Sequence, residues 1–159
     1  MSLRTIGRKV KMEILQQEGD VCELLFNNKR AQHACRLFLD YVKAKNGLTR
    51  AEFSRFAFDL EVGKVEVGFK YSRTRFYVQV RRTLLVLGLM GIQQRPVDDR
   101  VIVVDLVPER HRYRDVVDKY VAVRQPIAKR PPDGLNLVRL MWIICDKWNR
   151  EFFEEVYFV

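Results

Sequence analysis

The stretch YSRTRFYVQVRRTLLVLGLMG, residues 71–91, begins basic and aromatic and ends almost wholly aliphatic. Arg73, Arg75, Arg81 and Arg82 share it with the run Leu84, Leu85, Val86 and Leu87. One helix lying between a hydrophobic core and a polyanion needs both halves. Wound at about 100° per residue, Phe76, Tyr77, Val80, Leu84 and Leu87 cluster on one side. Arg75, Gln79 and Arg82 fall opposite them, at i, i+4 and i+7. The spacing predicts a helix over 74–90 with a buried face and a polar ridge. Arginine can donate two hydrogen bonds to guanine O6 and N7, and glutamine pairs similarly with adenine N6 and N7. Arg75, Gln79 and Arg82 are therefore the candidate base-contacting residues. Lys70, Tyr71 and Arg73 come just before the helix, where side chains and N-terminal amides can hold phosphates, and Arg81 is grouped with them. The plainer alternative is an amphipathic helix whose charged face is merely solvated.

The charge distribution bears on that choice. The chain of 159 residues carries 29 Lys and Arg against 20 Asp and Glu, a formal net charge of +9, with a sequence pI near 9.7. Between Lys64 and Arg82 there are six basic residues and one acidic, whereas 135–159 has three basic and four acidic. A charge serving only solubility does not need such concentration, and a basic patch favours a polyanionic partner. A hydrophobic content of 48% fills an ordinary globular core. No apolar run approaches the roughly 18–20 residues of a membrane span, and no signal-peptide pattern opens the chain. The expectation is a cytoplasmic or nucleoid-associated protein, with no membrane partner.

Outward from the central stretch, local patterns predict the remaining elements. LTRAEF at 48–53 places Thr49 at an N-cap and Glu52 three residues on, a capping box with Leu48 and Phe53 as its hydrophobic staple. The helix it starts has Phe53, Phe56, Ala57 and Leu60 on one face. Before it, Ala31, Ala34, Cys35, Phe38, Tyr41 and Val42 stripe a helix over 29–46, closed by Asn46–Gly47. At 62–72 the pattern calls for a short strand or an ordered loop. IQQR and RVIVVDLV bracket PVDD and predict two strands joined by a turn. Pro108 opens a predicted fourth helix striped by Tyr113, Val116, Val117, Tyr120 and Val121. RQPIAKRPPDG, 124–134, holds three prolines and a glycine and is the natural linker. A last helix spans about 136–155. At the other end, Val10, Met12 and Ile14 alternate with polar residues, and Cys22, Leu24 and Phe26 follow, predicting a β-hairpin.

Helix, capped helix, basic-aromatic helix ending LLVLGLMGI, then IQQRPVDDRVIVVDL: over about 29–107 this order resembles a winged helix-turn-helix DNA-binding domain. The resemblance implies a third helix in the major groove, leading through a leucine-glycine turn into a two-stranded wing. Two features depart from it. The gap at 62–72 is longer than the 3–4-residue turn of a helix-turn-helix. The wing tip carries Asp98 and Asp99, which leaves Arg95 and Arg100 as its only phosphate-contacting candidates.

The expected fold is α+β, mainly helical: an N-terminal β-hairpin arm (1–28), a winged-helix-like core (29–107) and C-terminal helices (108–159). On the last helix Leu137, Leu140, Met141, Ile144 and Trp148 form one stripe, widened by Trp142, Cys145 and Phe152. Such a helix must be buried, against its own domain or against a second copy. DNA-binding modules commonly pair to read two half-sites, so the stripe is the candidate homodimer interface. Cys22, Cys35 and Cys145 are odd in number and widely spaced, fitting reduced thiols better than disulfides. His33 and Cys35 are two apart on a helix and face differently, so no metal site is expected. Phosphate loops, nucleophile elbows and metal-ligand spacings are all missing, so the expectation is a non-enzyme without cofactor. The sequence thus points first to sequence-specific double-stranded DNA binding by a transcription regulator, its effector unspecified. A replication, partition or RNA-binding module of a mobile element stays open, as does a protein-interaction adaptor using the last helix.

Overall fold

The computed structural model describes residues 19–96 and 116–153, in an α+β, mainly helical fold with one three-stranded antiparallel sheet. Two compact units divide it: Phe38–Val123, and the described parts of Met1–Leu37 with Arg124–Val159. The division falls inside the helix Lys29–Lys45 and just past the strand Val116–Ala122, whereas the sequence placed its core at 29–107.

The Phe38–Val123 unit is organised around aromatic rings. Helix α2 (Lys29–Lys45) brings in Phe38, which lies 5.3 Å from Phe53 and 5.2 Å from Phe76 between ring centroids, both edge-on. Phe53 and Phe56 come from α3 (Arg50–Val62), and Phe53 also meets Tyr120 at 4.5 Å. Burying each such ring contributes roughly 1.5–3 kcal/mol, and offset or edge-on pairing about 0.5–1.5 kcal/mol more. Between α2 and α3 the capping box forms as the sequence predicts. Thr49 Oγ1 accepts from the Glu52 amide at 3.2 Å, and Glu52 Oε1 accepts from the Thr49 amide at 3.1 Å. Those hydrogen bonds, Thr49's backbone N–H above all, hold the Glu52 carboxyl below the usual glutamate range, and Lys45 at 3.5 Å helps. Leu48–Thr49 also forms β1, a strand too short for any local pattern to announce.

Helix α3 ends on Gly63 at φ +83°, whose amide donates to the Asp59 carbonyl. The loop to the next helix is ordered: Glu66 pairs with Phe69 across a turn carried by Gly68 at φ +85°, and the Tyr71 amide donates to the Leu60 carbonyl at 3.2 Å. Helix α4 follows as one continuous run: α-helical at Arg73–Arg75, π-helical at Phe76–Arg81, α-helical again at Arg82–Val86. It stops short of the predicted 90, at Gly88 with φ +72°. β2 (Met90–Pro96) pairs in register with β3 (Val116–Ala122), Met90 opposite Ala122 and Pro96 opposite Val116, and the strand order is β1-β3-β2.

β3 corrects the predicted fourth helix. Val116, Val117, Tyr120 and Val121 fit a helical stripe, but three β-branched residues and a tyrosine in seven positions suit a pleated strand better. Tyr120 sits opposite both Leu48 and Ile92, so two neighbouring strands decide its conformation. The second wing strand expected at 100–107 lies outside the described residues.

The other unit begins with a second correction. Val21–Leu25, expected as a strand, is a short helix, α1, because Asp20 Oδ1 accepts from the Glu23 amide at 2.9 Å and caps it. The rest of the predicted hairpin, 10–14, lies outside the described residues. Arg36 ties this end together, pairing with Asp20 at 3.4 Å and with Glu151. Helix α5 (Leu137–Phe153) buries Ile143, Ile144, Trp148 and Asn149. The proline-rich segment before it is fastened down. Asn149 Oδ1 accepts from the Gln125 amide at 2.8 Å while its Nδ2 donates to the Gln125 carbonyl at 2.9 Å. Trp142 Nε1 donates to the Ala128 carbonyl at 2.9 Å. Cys22 and Cys35 are buried free thiols; burial pushes Cys35 well above the ordinary thiol range, and its contact with Cys22 adds to this.

Candidate nucleic-acid interface

The π-helical turn sets which side chains of α4 share a face. Each i→i+5 closure takes in one residue more than an α-turn. Residues four apart therefore stay in line here, where an α-helix of about 3.6 residues per turn would let them drift. Phe76, Val80 and Leu84 form one fully buried row. Val78, Arg82 and Val86 form an exposed row, with Arg75 and Gln79 exposed beside it. The three candidate base-contacting residues are thus all exposed above a buried stripe. Arg75 and Arg82 lie in adjacent rows, however, not on the single i, i+7 line that a regular helix gives. Val78 and Val86, 55% and 74% exposed, belong to the same surface, and the helical wheel gave no reason to notice them.

Several cations around this face have partners within the chain. Arg73 Nε lies 3.2 Å from Glu61 Oε1, its amide donates to Glu61 Oε2 at 2.9 Å, and its guanidinium lies over the Phe58 ring. Ser72 Oγ accepts from the Arg75 amide at 3.1 Å. Two of the N-terminal amides expected to hold phosphate are therefore already satisfied. Arg81 is held between the rings of Tyr77 and Tyr120, 5.6 and 5.8 Å from their centroids, and reaches the Tyr120 hydroxyl at 3.4 Å. Arg75 and Arg82 are exposed and make no ion pair among the described residues.

Tyr71 corrects its expected place. Its side chain is 3% exposed, stacked parallel to Phe69, and its hydroxyl donates to Gln79 Oε1 at 2.5 Å. It supports the face from beneath instead of meeting phosphate. A ring that looked like part of a basic-aromatic surface is drawn inward by its backbone bond to Leu60. Lys70 is exposed, with its stem across Gly63. Arg95 lies on β2 opposite Val117, and Arg100 lies outside the described residues.

The α5 stripe is divided. Ile144 and Trp148 are buried within the single chain, Leu140 and Met141 are half-buried, and Leu137 is 71% exposed beside Val138 at 66%. Among the described residues no group of three or more His, Cys, Asp or Glu could hold a metal ion, and no helix is long and apolar enough to cross a membrane. An open depression of about 500 Å³ beside Tyr41, Lys45, Glu52 and Arg55 contains the Lys45–Glu52 ion pair and no nucleophile with a base. In comparisons with known proteins the chain matches no family model, no curated protein and no solved structure.

Proposed function

We propose that this chain is a sequence-specific double-stranded DNA-binding protein of the winged-helix kind, acting in transcription regulation, with α4 as its major-groove helix. The observation that carries the proposal is the exposed α4 face, where Arg75, Gln79 and Arg82 stand above the buried row of Phe76, Val80 and Leu84. Guanidinium and amide groups there match the donor and acceptor edges of base pairs, and the exposed valines match thymine methyls. The order helix, strand, helix, helix, strand, strand, with β3 between β1 and β2, supports the winged-helix part. Lys70 supplies phosphate contact, and Arg95 and Arg100 of the wing stay part of the proposal.

Pairing of two copies is proposed through the start of α5. Its exposed Leu137 and Val138, with the half-buried Leu140 and Met141, are the surface open to a partner, since Ile144 and Trp148 already serve the chain's own core.

The test is a fluorescence-anisotropy titration of random and selected duplexes over a range of salt. Binding to both should weaken steeply with salt, since neutralised phosphates release counterions. The Arg75→Ala, Gln79→Ala, Arg82→Ala triple variant should bind its best duplex no better than random DNA. Parent affinity unchanged by salt, or a triple variant as tight and selective as the parent, would overturn the proposal. Stronger binding to RNA than to duplex DNA would move the function to the RNA-binding alternative.

A further inference from the structure

Gln79 is the one side chain of the exposed ridge whose orientation is fixed from below. Tyr71 is anchored three ways: its ring is buried, it stacks on Phe69, and its amide donates to the Leu60 carbonyl. From that position its hydroxyl donates to Gln79 Oε1 at 2.5 Å. A glutamine amide has one acceptor end and one donor end, and turning it over exchanges them. Here the acceptor end is turned down to the tyrosine, which leaves the Nε2 donors on the exposed side.

We infer that Tyr71 is a positioning residue that makes Gln79 a donor-only reader, selecting a guanine or thymine edge where an untethered glutamine would select adenine. The inference rests on the proposed reading of duplex DNA by α4. Two-point recognition of adenine needs Oε1 to accept from N6 while Nε2 donates to N7. Oε1 keeps a second lone pair, but it is turned down toward Tyr71, so the first of these bonds is weakened, and an adenine N6 donor would face the Nε2 donors. Guanine offers the acceptors O6 and N7, and thymine offers O4, so both take the donors Gln79 presents. The thymine methyl would further suit the neighbouring Val78, which is exposed in the adjoining row. Adenine and cytosine, which present an amino donor in the groove, are disfavoured.

The experiment is selection of duplexes from a randomised pool, followed by affinity measurement on the selected site with each base substituted in turn. Gln79→Ala identifies the base step that Gln79 reads, as the position where preference disappears. At that step the parent should favour guanine or thymine over adenine by about tenfold, a typical discrimination for one good groove contact. Tyr71→Phe keeps the ring and removes the tether, so adenine should become acceptable at that step while preferences elsewhere and affinity for random duplex stay put. A merely structural tyrosine would change affinity at every step or none. Identical profiles for the parent and Tyr71→Phe would overturn the inference while leaving α4 as the reading helix. So would a parent preference for adenine at the Gln79 step, and this arm needs no variant of Tyr71 to fold. A parent that selects no sequence at all would instead remove the DNA-reading proposal itself.

Discussion

Helices α4 and α5 are both apolar on one side, yet they dispose of their polar groups in opposite ways. On α5, Asn149 is clasped to both backbone groups of Gln125, Trp142 donates to Ala128, Arg150 pairs with Asp146 at 3.2 Å, and Glu151 pairs with Arg36. Its polarity is internal scaffolding. On α4, Arg75 and Arg82 face outward without an ion pair among the described residues, while Arg73 and Arg81 are taken up by Glu61 and by two tyrosines. Counting cations along a sequence therefore overstates a binding surface. What distinguishes a candidate contact from a structural one is whether the protein already satisfies it.

The sharpest way to break this comparison is to remove a core anchor from one helix and the ridge from the other. Trp148→Ala should cost about 3–5 kcal/mol of stability in denaturant unfolding, as expected for a buried aromatic. In the triple alanine variant of Arg75, Gln79 and Arg82, each arginine should cost no more than about 0.5 kcal/mol, and Gln79 about 1 kcal/mol for the Tyr71 hydroxyl it leaves unpaired. A triple variant destabilised as much as Trp148→Ala would show that the α4 ridge is scaffolding too.

Next in size is the clasp itself. Asn149→Ala leaves the Gln125 N–H and C=O without their side-chain partner and should cost about 1–3 kcal/mol. Hydrogen exchange should show residues 124–128 opening more readily, with binding to duplex unchanged. Exchange that stays at parental rates there would mean the clasp does not hold the segment.

Two arginines on α4 sharpen the contrast further. Arg75→Ala should weaken the preferred duplex by about 1–3 kcal/mol. Arg73→Ala should weaken it less, because Arg73 is shared with Glu61, and it should lower stability by no more than about 1 kcal/mol, the range of an exposed pair. Equal losses of affinity would show that Arg73 leaves Glu61 when DNA arrives.

The smallest effect is expected at the α3 cap. Thr49→Ala should cost about 1 kcal/mol. The carboxyl of Glu52 is held below its unfolded value, so its contribution is fully present above the ordinary glutamate range and fades as pH falls through its lowered folded value. The stability difference between parent and Glu52→Gln should therefore shrink in acid and stay constant from weakly acidic to neutral pH. A difference that grows on acidification would reverse the assigned cause.

These contrasts also explain which parts of the molecule were legible in the sequence. The Thr49–Glu52 box, the α2 stripe and the last helix are local patterns, and each formed within a residue or two of its predicted limits. α1 had a signal in Asp20 three residues before Glu23, hidden by an apolar run that reads equally well with a period of two. β3 depends on partners some seventy residues back at Leu48 and some thirty back at Met90, and no local window contains them. The exposure of Arg75, Gln79 and Arg82 followed from periodicity. The burial of Tyr71 did not, because a loop backbone bond to Leu60 determines it. The π-helical turn was equally invisible, since nothing in FYVQVR forbids a regular helix.

That turn at Phe76–Arg81 has a consequence for how this chain can change over generations. A wide turn is one residue of slack already taken up, the trace that a past insertion would leave in a helix. Point substitutions at exposed positions such as Val78 or Arg82 leave the winding intact, so the ridge is free to acquire new chemistry. A change in length depends on where it falls. Deleting one residue between Phe76 and Arg81 takes out that slack and restores a regular α-turn, with Leu84 still in the core and the residues after it in register. Deleting one residue from Arg82–Val86, which is already regularly wound, rotates everything after it by about 100°. A one-residue deletion scan should accordingly keep folding within residues 76–81 and lose folding and duplex binding together within residues 82–86.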